Sequence, residues 1–217
     1  MKLAILGAHG RIARIVEERI LNEDRFQDIE LTLLLKRSSR LNDMKDNPRV
    51  TLIEGDLENE KAANAALAGQ DMVFLATVDT SPTNMITKNV INAMHAQGVH
   101  RLLAASSIGI YQEEPNQKFR EWNQRTLKDY LPPIRVEDEM LRKSDIDFTT
   151  LRFAWLNDRD EIAYQITKKG ERFVGGSGSR KSMADAILKI VETPTLCERE
   201  TIGIADPSTK DAPSVVR

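Results

Sequence analysis

Cysteine is all but missing from this 217-residue chain, and its one copy, Cys197, excludes an internal disulfide and suits a reducing compartment. Histidine is nearly as scarce: His9, His95 and His100 show no metal-ligand spacing among themselves or with Cys197, so no metal site is expected. An excess of one charge sign is lacking too. With 31 basic and 33 acidic residues the formal charge is −2, which gives no electrostatic reason to bind nucleic acid or a membrane surface. No segment reaches the roughly 18 uninterrupted apolar residues of a membrane helix, and Met1-Lys2 leads directly into a strand-like run without the apolar core of a signal peptide. A cytoplasmic location is the expectation. Repeats and low-complexity stretches are also absent. What is present, 41% apolar and 29% charged residues, fits a globular protein with chain enough for one domain.

The chain is organised around its first thirteen residues. A short apolar run, Leu3-Ala4-Ile5-Leu6, breaks into Gly7-Ala8-His9-Gly10-Arg11-Ile12-Ala13 and then into a helical pattern. A helix N-terminus carries unpaired N–H groups and about half a positive charge, so a turn without obstructing side chains lets a phosphate approach it. Gly7 would permit the tight turn, Gly10 the close backbone approach, and Ala13 the packing of helix on strand. The spacing is G-x-x-G-x-x-A, not the commoner G-x-G-x-x-G, and an ordinary strand-to-helix turn is the alternative.

The context narrows that choice. Ile12, Ile15, Val16 and Ile20 form one apolar stripe, with Arg14, Glu17, Glu18 and Arg19 expected in solvent. Strands are expected at residues 31–35, 50–53, 71–76 and 100–105, with helices at 58–67 and 84–96 between them. Such alternation predicts a doubly wound α/β parallel sheet of the Rossmann type, whose ligands bind beyond the C-terminal strand ends. Farther on, the polar stretch from Gln112 to Lys118 reads as a surface loop and Phe119 to Asp129 as a short helix. A second helix starts at Pro132-Pro133 and carries Val136, Met140 and Leu141, and a sixth strand covers 148–152. Residues 175–179 read as a glycine-rich turn before a helix near 183–192, 201–204 as a further element, and the chain from Pro207 as frayed. Residues 1–152 thus form the nucleotide-binding core of one domain spanning 1–217, and 153–217 a small C-terminal, substrate-side extension.

The strand ends carry the candidate ligand contacts: Gly7, His9, Gly10, Arg11 and Ile12 in the first turn, Lys36 and Arg37 after the second strand, Asp56 and Leu57 after the third, Ala76 and Thr77 after the fourth, and Ser106 after the fifth. NAD-selective sites usually place an acidic residue about 20 positions beyond the glycine motif, on the ribose hydroxyls. Here Lys36-Arg37 stands instead, and guanidinium donors suit a 2′-phosphate that a carboxylate would repel. NADP(H) is therefore expected over NAD(H), with a solvated basic loop at Lys36, Arg37 and Arg40 as the alternative. Asp56 suits either an adenine contact or a helix cap.

These residues resemble the short-chain dehydrogenase/reductase superfamily, in its atypical NmrA-like NAD(P)H-binding branch, over roughly Met1 to Thr193. The likeness rests on the glycine turn, the basic end of the second strand, Gly55-Asp56-Leu57, Ala105-Ser106-Ser107-Ile108-Gly109, the segment Glu139 to Arg152, and Ser179 to Asp185. Family reductases combine a serine after the fifth strand with a Tyr-x-x-x-Lys helix, in which lysine lowers the tyrosine pKa. The resemblance therefore makes Ser106, Ser107 and Tyr130 the candidate catalytic residues, against strand-end hydrogen bonding for the serines and surface packing for the tyrosine. Ile134 occupies the lysine position of Tyr130-Leu131-Pro132-Pro133-Ile134, so Tyr130 would keep a pKa near 10. Arg135 could replace the lysine only in a shifted register, and Tyr111 is a further candidate acid. Phe153 replaces the family's proline after Arg152, and with Trp155 it either lines the substrate side or fills the core.

Two functions follow from that resemblance. One is an NADP(H)-dependent oxidoreductase passing hydride to a small carbonyl or quinone; the other is a non-catalytic NAD(P) sensor of the NmrA type acting through a protein partner. A small-molecule substrate is expected, and an exposed helix pair would permit a homodimer without any residue demanding one. Nucleotide-sugar epimerisation is disfavoured, because only about 65 residues follow the sixth strand.

Overall fold

The computed structural model describes the whole chain, Met1–Arg217. Its main sheet holds β1 (Lys2–Leu6), β2 (Glu30–Leu35), β3 (Val50–Glu54), β4 (Met72–Leu75), β5 (Arg101–Ser107), β6 (Asp147–Phe153), β8 (Gln165–Lys168) and β10 (Glu200–Ala205). The strand order is β3-β2-β1-β4-β5-β6-β10-β8, parallel except for β8, which runs antiparallel on the edge of β10. This is the doubly wound α/β fold expected, with the order reversing beside β1. The glycine turn leaves the sheet at that reversal.

Successive side chains of a strand face opposite sides, and the core divides accordingly. Leu3 and Ile5 pack with Val16, Ile20 and Ile187 on the face covered by α1 (Arg11–Asn22) and α6 (Arg180–Glu192), which touch each other. Ala4 and Leu6 face the other way, where Val90, Met94 and Leu141 come from α3 (Met85–Gln97) and α5 (Leu131–Lys143), beside α2 (Glu60–Leu67). No helix is long and apolar enough to cross a membrane.

Five sequence expectations need correction, three of them because polar residues are buried here in pairs. Glu17, expected in solvent, is fully buried, and the loop at 112–118 turns Glu113, Glu114 and Pro115 inward. On α5 the buried face carries Leu131, Ile134, Glu137, Asp138 and Leu141, while Val136 is exposed. The glycine-rich stretch is more than a turn: β9 (Ser177–Ser179) pairs in parallel with β7 (Trp155–Asn157), and a Cβ at Gly176 would lie 2.1 Å from the Phe119 ring. Phe119 comes from α4 (Gln117–Thr126), which packs over this small sheet. The end of the chain is tied down, not frayed. Thr209 Oγ1 accepts the Gly176 and Ser177 amides at 3.1 Å, and the Val216 amide donates to Ser177 Oγ at 2.8 Å.

Candidate functional site

The cleft along the C-terminal strand ends starts at the glycine turn. Gly7 and Ala8 donate their amides to the Leu34 carbonyl at 2.9 and 3.1 Å, fixing the turn to β2. Gly7 has φ +85°, a conformation costly for residues with a Cβ, so the residue type follows from the turn. Gly10 caps α1 without a side chain in the way, and no acidic residue stands in the first helical turn. His9 and Arg11 are exposed and Ile12 is half-buried. A free helix N-terminus behind a turn of small residues, with no carboxylate to oppose an anion, fits the diphosphate of a dinucleotide.

Beside it, a cleft of about 210 Å³ is bordered by Gly7, Leu35, Lys36, Asp56, Leu57 and Thr77. Lys36 Nζ lies 2.7 Å from Asp56 Oδ2, which raises the Lys36 pKa and lowers that of Asp56 through their hydrogen bond. Asp56 Oδ1 accepts the Glu58 amide at 3.1 Å, whereas the cap of α2 is Asn59. Asp56 is thus a turn and ion-pair residue, not the helix cap. Arg37 and Arg40 are exposed, and neither side chain has an ion-pair partner. Of the basic residues after β2, Lys36 is paired with Asp56, while Arg37 and Arg40 carry no ion pair.

The other end of the cleft opens past β5. An open cleft of some 400 Å³ is bordered by Ser106, Ser107, Leu127, Phe153, Trp155 and Arg180, among others, and most of its wall is apolar. Ser106 is 3% exposed and its Oγ has no hydrogen-bond partner, although an unpaired buried hydroxyl costs about 1–3 kcal/mol. Ser107 Oγ makes only a long bond to the Ile108 carbonyl, 3.3 Å. Phe153 belongs to the core and also borders the cleft, as does Trp155, whose Nε1 donates to Asn123 Oδ1 at 2.7 Å. Ala76 and Thr77 lie between the two ends, half-buried at the end of β4. Asp79, two residues on, is turned inward, where its carboxylate accepts the amide and hydroxyl of Thr87 at 2.9 Å.

Buried charge that the sequence reading missed holds this end in place. Arg152, fully buried, donates to Glu113 Oε1 at 2.9 Å, and Glu113 accepts the Gly109 and Tyr111 amides at 3.2 and 2.7 Å. The pair fixes the loop that follows the two serines. The signal available in the sequence was a carboxylate pair, Glu113-Glu114, in a short loop facing an arginine within an apolar strand.

The tyrosine candidates are placed elsewhere. Tyr130 is 52% exposed at the start of α5 and does not border the cleft, and Ile134 is buried in a small apolar cluster. Arg135 Nε donates to the Ile110 carbonyl, and its guanidinium lies 5.5 Å above the Tyr111 ring, so it does not take the lysine's place beside Tyr130. The Tyr111 hydroxyl donates to Asp138, and burial together with that carboxylate pushes its pKa well up. None of them is an activated phenol facing Ser106.

A profile of an NAD(P)H-binding protein family matches residues 7–194. Among solved structures, a short-chain dehydrogenase/reductase from Veillonella parvula in complex with NADP is 26% identical, with a TM-score of 0.90 over 100% of this chain and 99% of that one. A Rossmann-fold NAD(P)-binding family protein from Shigella flexneri is 32% identical, with a TM-score of 0.79 over 96% of this chain and 94% of that one. The UPF0659 protein YMR090W of Saccharomyces cerevisiae is 22% identical over 95% of this chain and 93% of its own length.

Proposed function

Because this chain belongs to the NAD(P)H-binding family of atypical short-chain dehydrogenases/reductases, we propose that it is an NADP(H)-dependent oxidoreductase that passes hydride to a small carbonyl or quinone. The observation that carries this reading is the orphaned hydroxyl of Ser106 in the wall of a largely apolar cleft. A buried donor without an acceptor is what an acceptor's carbonyl oxygen would complete. When bound, the reduced nicotinamide supplies the hydride. Ser106 then orients the carbonyl, the apolar walls pack against the acceptor, and the glycine turn with the amides of α1 holds the diphosphate. Arg37, the first of two unpaired cations after β2, meets the 2′-phosphate and sets the preference for NADP(H).

Nothing in the cleft replaces the Tyr-Lys pair as a proton source, which favours acceptors such as quinones whose reduced oxygen takes its proton from water. The same gap supports the sensor of the NmrA type as a second reading, in which the two cofactor redox states bind unequally and a protein partner reads the difference. A screen of quinones and aldehydes separates the two. The enzyme reading expects NADPH oxidation with a quinone, and Ser106→Ala to lower kcat by about 10- to 100-fold with the Kd for NADPH unchanged. No turnover by a protein that binds NADPH, together with unequal affinities for NADPH and NADP, would leave the sensor.

A further inference from the structure

Two arginines near the reaction end are neutralised in different ways. Arg152 is paired with buried Glu113, which is itself anchored by two backbone amides. Arg180, the first residue of α6, is the one charged residue in the wall of the 400 Å³ cleft, and its side chain is only 11% exposed. Its counter-ion is Asp158, at 2.6 Å, on the segment that follows β7. That aspartate is 69% exposed, and its other oxygen accepts from Arg11 at 3.0 Å, beside the glycine turn. A nearly buried guanidinium in an apolar wall requires an anion, and this one is held by a solvated side chain shared with a second cation. A diphosphate at the glycine turn competes for Arg11, and an anionic group in the cleft competes for Arg180.

Building on the oxidoreductase reading above, we infer that Arg180 is the anchor for a carboxylate on the acceptor. The substrate class is a planar, conjugated carbonyl or quinone compound with a carboxylate at its rim. Phe153 and Trp155 give the cleft aromatic surface suited to a flat body, its volume matches one or two fused rings, and Ser106 and Arg180 border the same space. The carboxylate takes Asp158's place on Arg180, where a guanidinium binds it through two parallel N–H donors. The start of α6 adds its positive end to the same side.

The test needs no turnover. 2-Naphthoate and 2-naphthamide have the same ring system and differ in charge. Their binding to the protein saturated with NADP is followed through quenching of tryptophan fluorescence, since Trp155 borders the cleft. Naphthoate is expected to bind at least about tenfold more tightly than the amide, the gain of a charge-assisted pair. Arg180→Gln should abolish that ratio and leave the amide's affinity alone, while Arg180→Lys restores part of it. Equal affinities in the parent, or a ratio that survives in Arg180→Gln, would overturn the assignment. If Arg180→Gln fails to fold, Asp158→Asn decides: removal of the competing carboxylate should tighten naphthoate, and unchanged or weaker binding would count against the anchor. Failure of the oxidoreductase reading would show instead as no acceptor reduced by NADPH, whatever the naphthoate ratio. Reduction of neutral and carboxylated quinones with no carboxylate preference would remove the anchor alone.

Discussion

At the glycine-turn end of the cleft the protein presents backbone amides and exposed cations from its first 40 residues. At the Ser106 end it presents side chains whose supports lie far away in sequence: Glu113 and Arg152 are 39 residues apart, Asn123 and Trp155 32. The first end is made by local conformation and tolerates solvent. The second is made by buried polar pairs, each of which fails if one partner is removed. The contrast places the buried polar pairs beside the Ser106 cleft and leaves the glycine turn to local backbone conformation.

Breaking a pair at the rigid end should cost most. Arg152→Met leaves Glu113 buried with its backbone donors but no counter-charge, and should destabilise the fold by roughly 3–5 kcal/mol, lowering Tm by on the order of 10 °C. Urea unfolding checks this, and Glu113→Gln in the same chain should recover part of the loss. A stability within 1 kcal/mol of the parent would mean that the loop after the serines does not depend on the pair.

Glu17 sharpens the comparison, because it sits in the N-terminal half but is buried like the pairs of the other half. Burial pushes its carboxyl up to about 8, opposed by Arg14 at 3.4 Å, while Asp43 and Glu18 add negative charge. Its folded pKa lies above the unfolded value of about 4.3, so the native state holds the extra proton. That contribution to stability is full below about pH 4.3 and is lost as pH rises through about 8. The parent should lose on the order of 1–3 kcal/mol between pH 5 and 9 from this group. Glu17→Gln, neutral throughout, should be more stable than the parent at pH 9 and flatter across the range. Parallel pH profiles for the two proteins would show that Glu17 is ionised in the native state.

The smallest effect is expected at Tyr130. Its exposure at the start of α5 and its distance from the cleft wall predict that Tyr130→Phe changes stability by less than about 0.5 kcal/mol and leaves steady-state NADPH oxidation as it was. A large loss of kcat would restore the tyrosine to the chemistry.

The same contrast explains what could be read from the sequence. β1, the glycine turn, the strand alternation and the basic end of β2 follow from local rules of periodicity and backbone freedom, and the strand order follows from them with few alternatives. Glu17, Glu113, Glu137, Asp138 and Arg152 do not: periodicity puts Glu17 and Glu113 in solvent and says nothing of the partners or backbone donors that let all five be buried. Val136 was misplaced for the same reason: two carboxylates on the inner face of α5 hid which side of that helix packs. Ser106 was legible as a strand-end serine, but only the structure shows that its hydroxyl is left without a partner. The tail beyond Pro207 reads as frayed because its ties are hydrogen bonds to residues far away in sequence, such as Asn116, Asn157 and Ser177.

The proposed hold on NADP(H), through an N-terminal turn and an unpaired Arg37, is open to direct measurement. The most direct measurement is a titration of the protein with NADPH, NADP, NADH and NAD, in parallel for the parent and Arg37→Asp. The account predicts that NADPH binds the parent at least about tenfold more tightly than NADH, and that Arg37→Asp removes this preference while NADH still binds. Equal affinities for NADPH and NADH in the parent, or a preference that survives in Arg37→Asp, would contradict it.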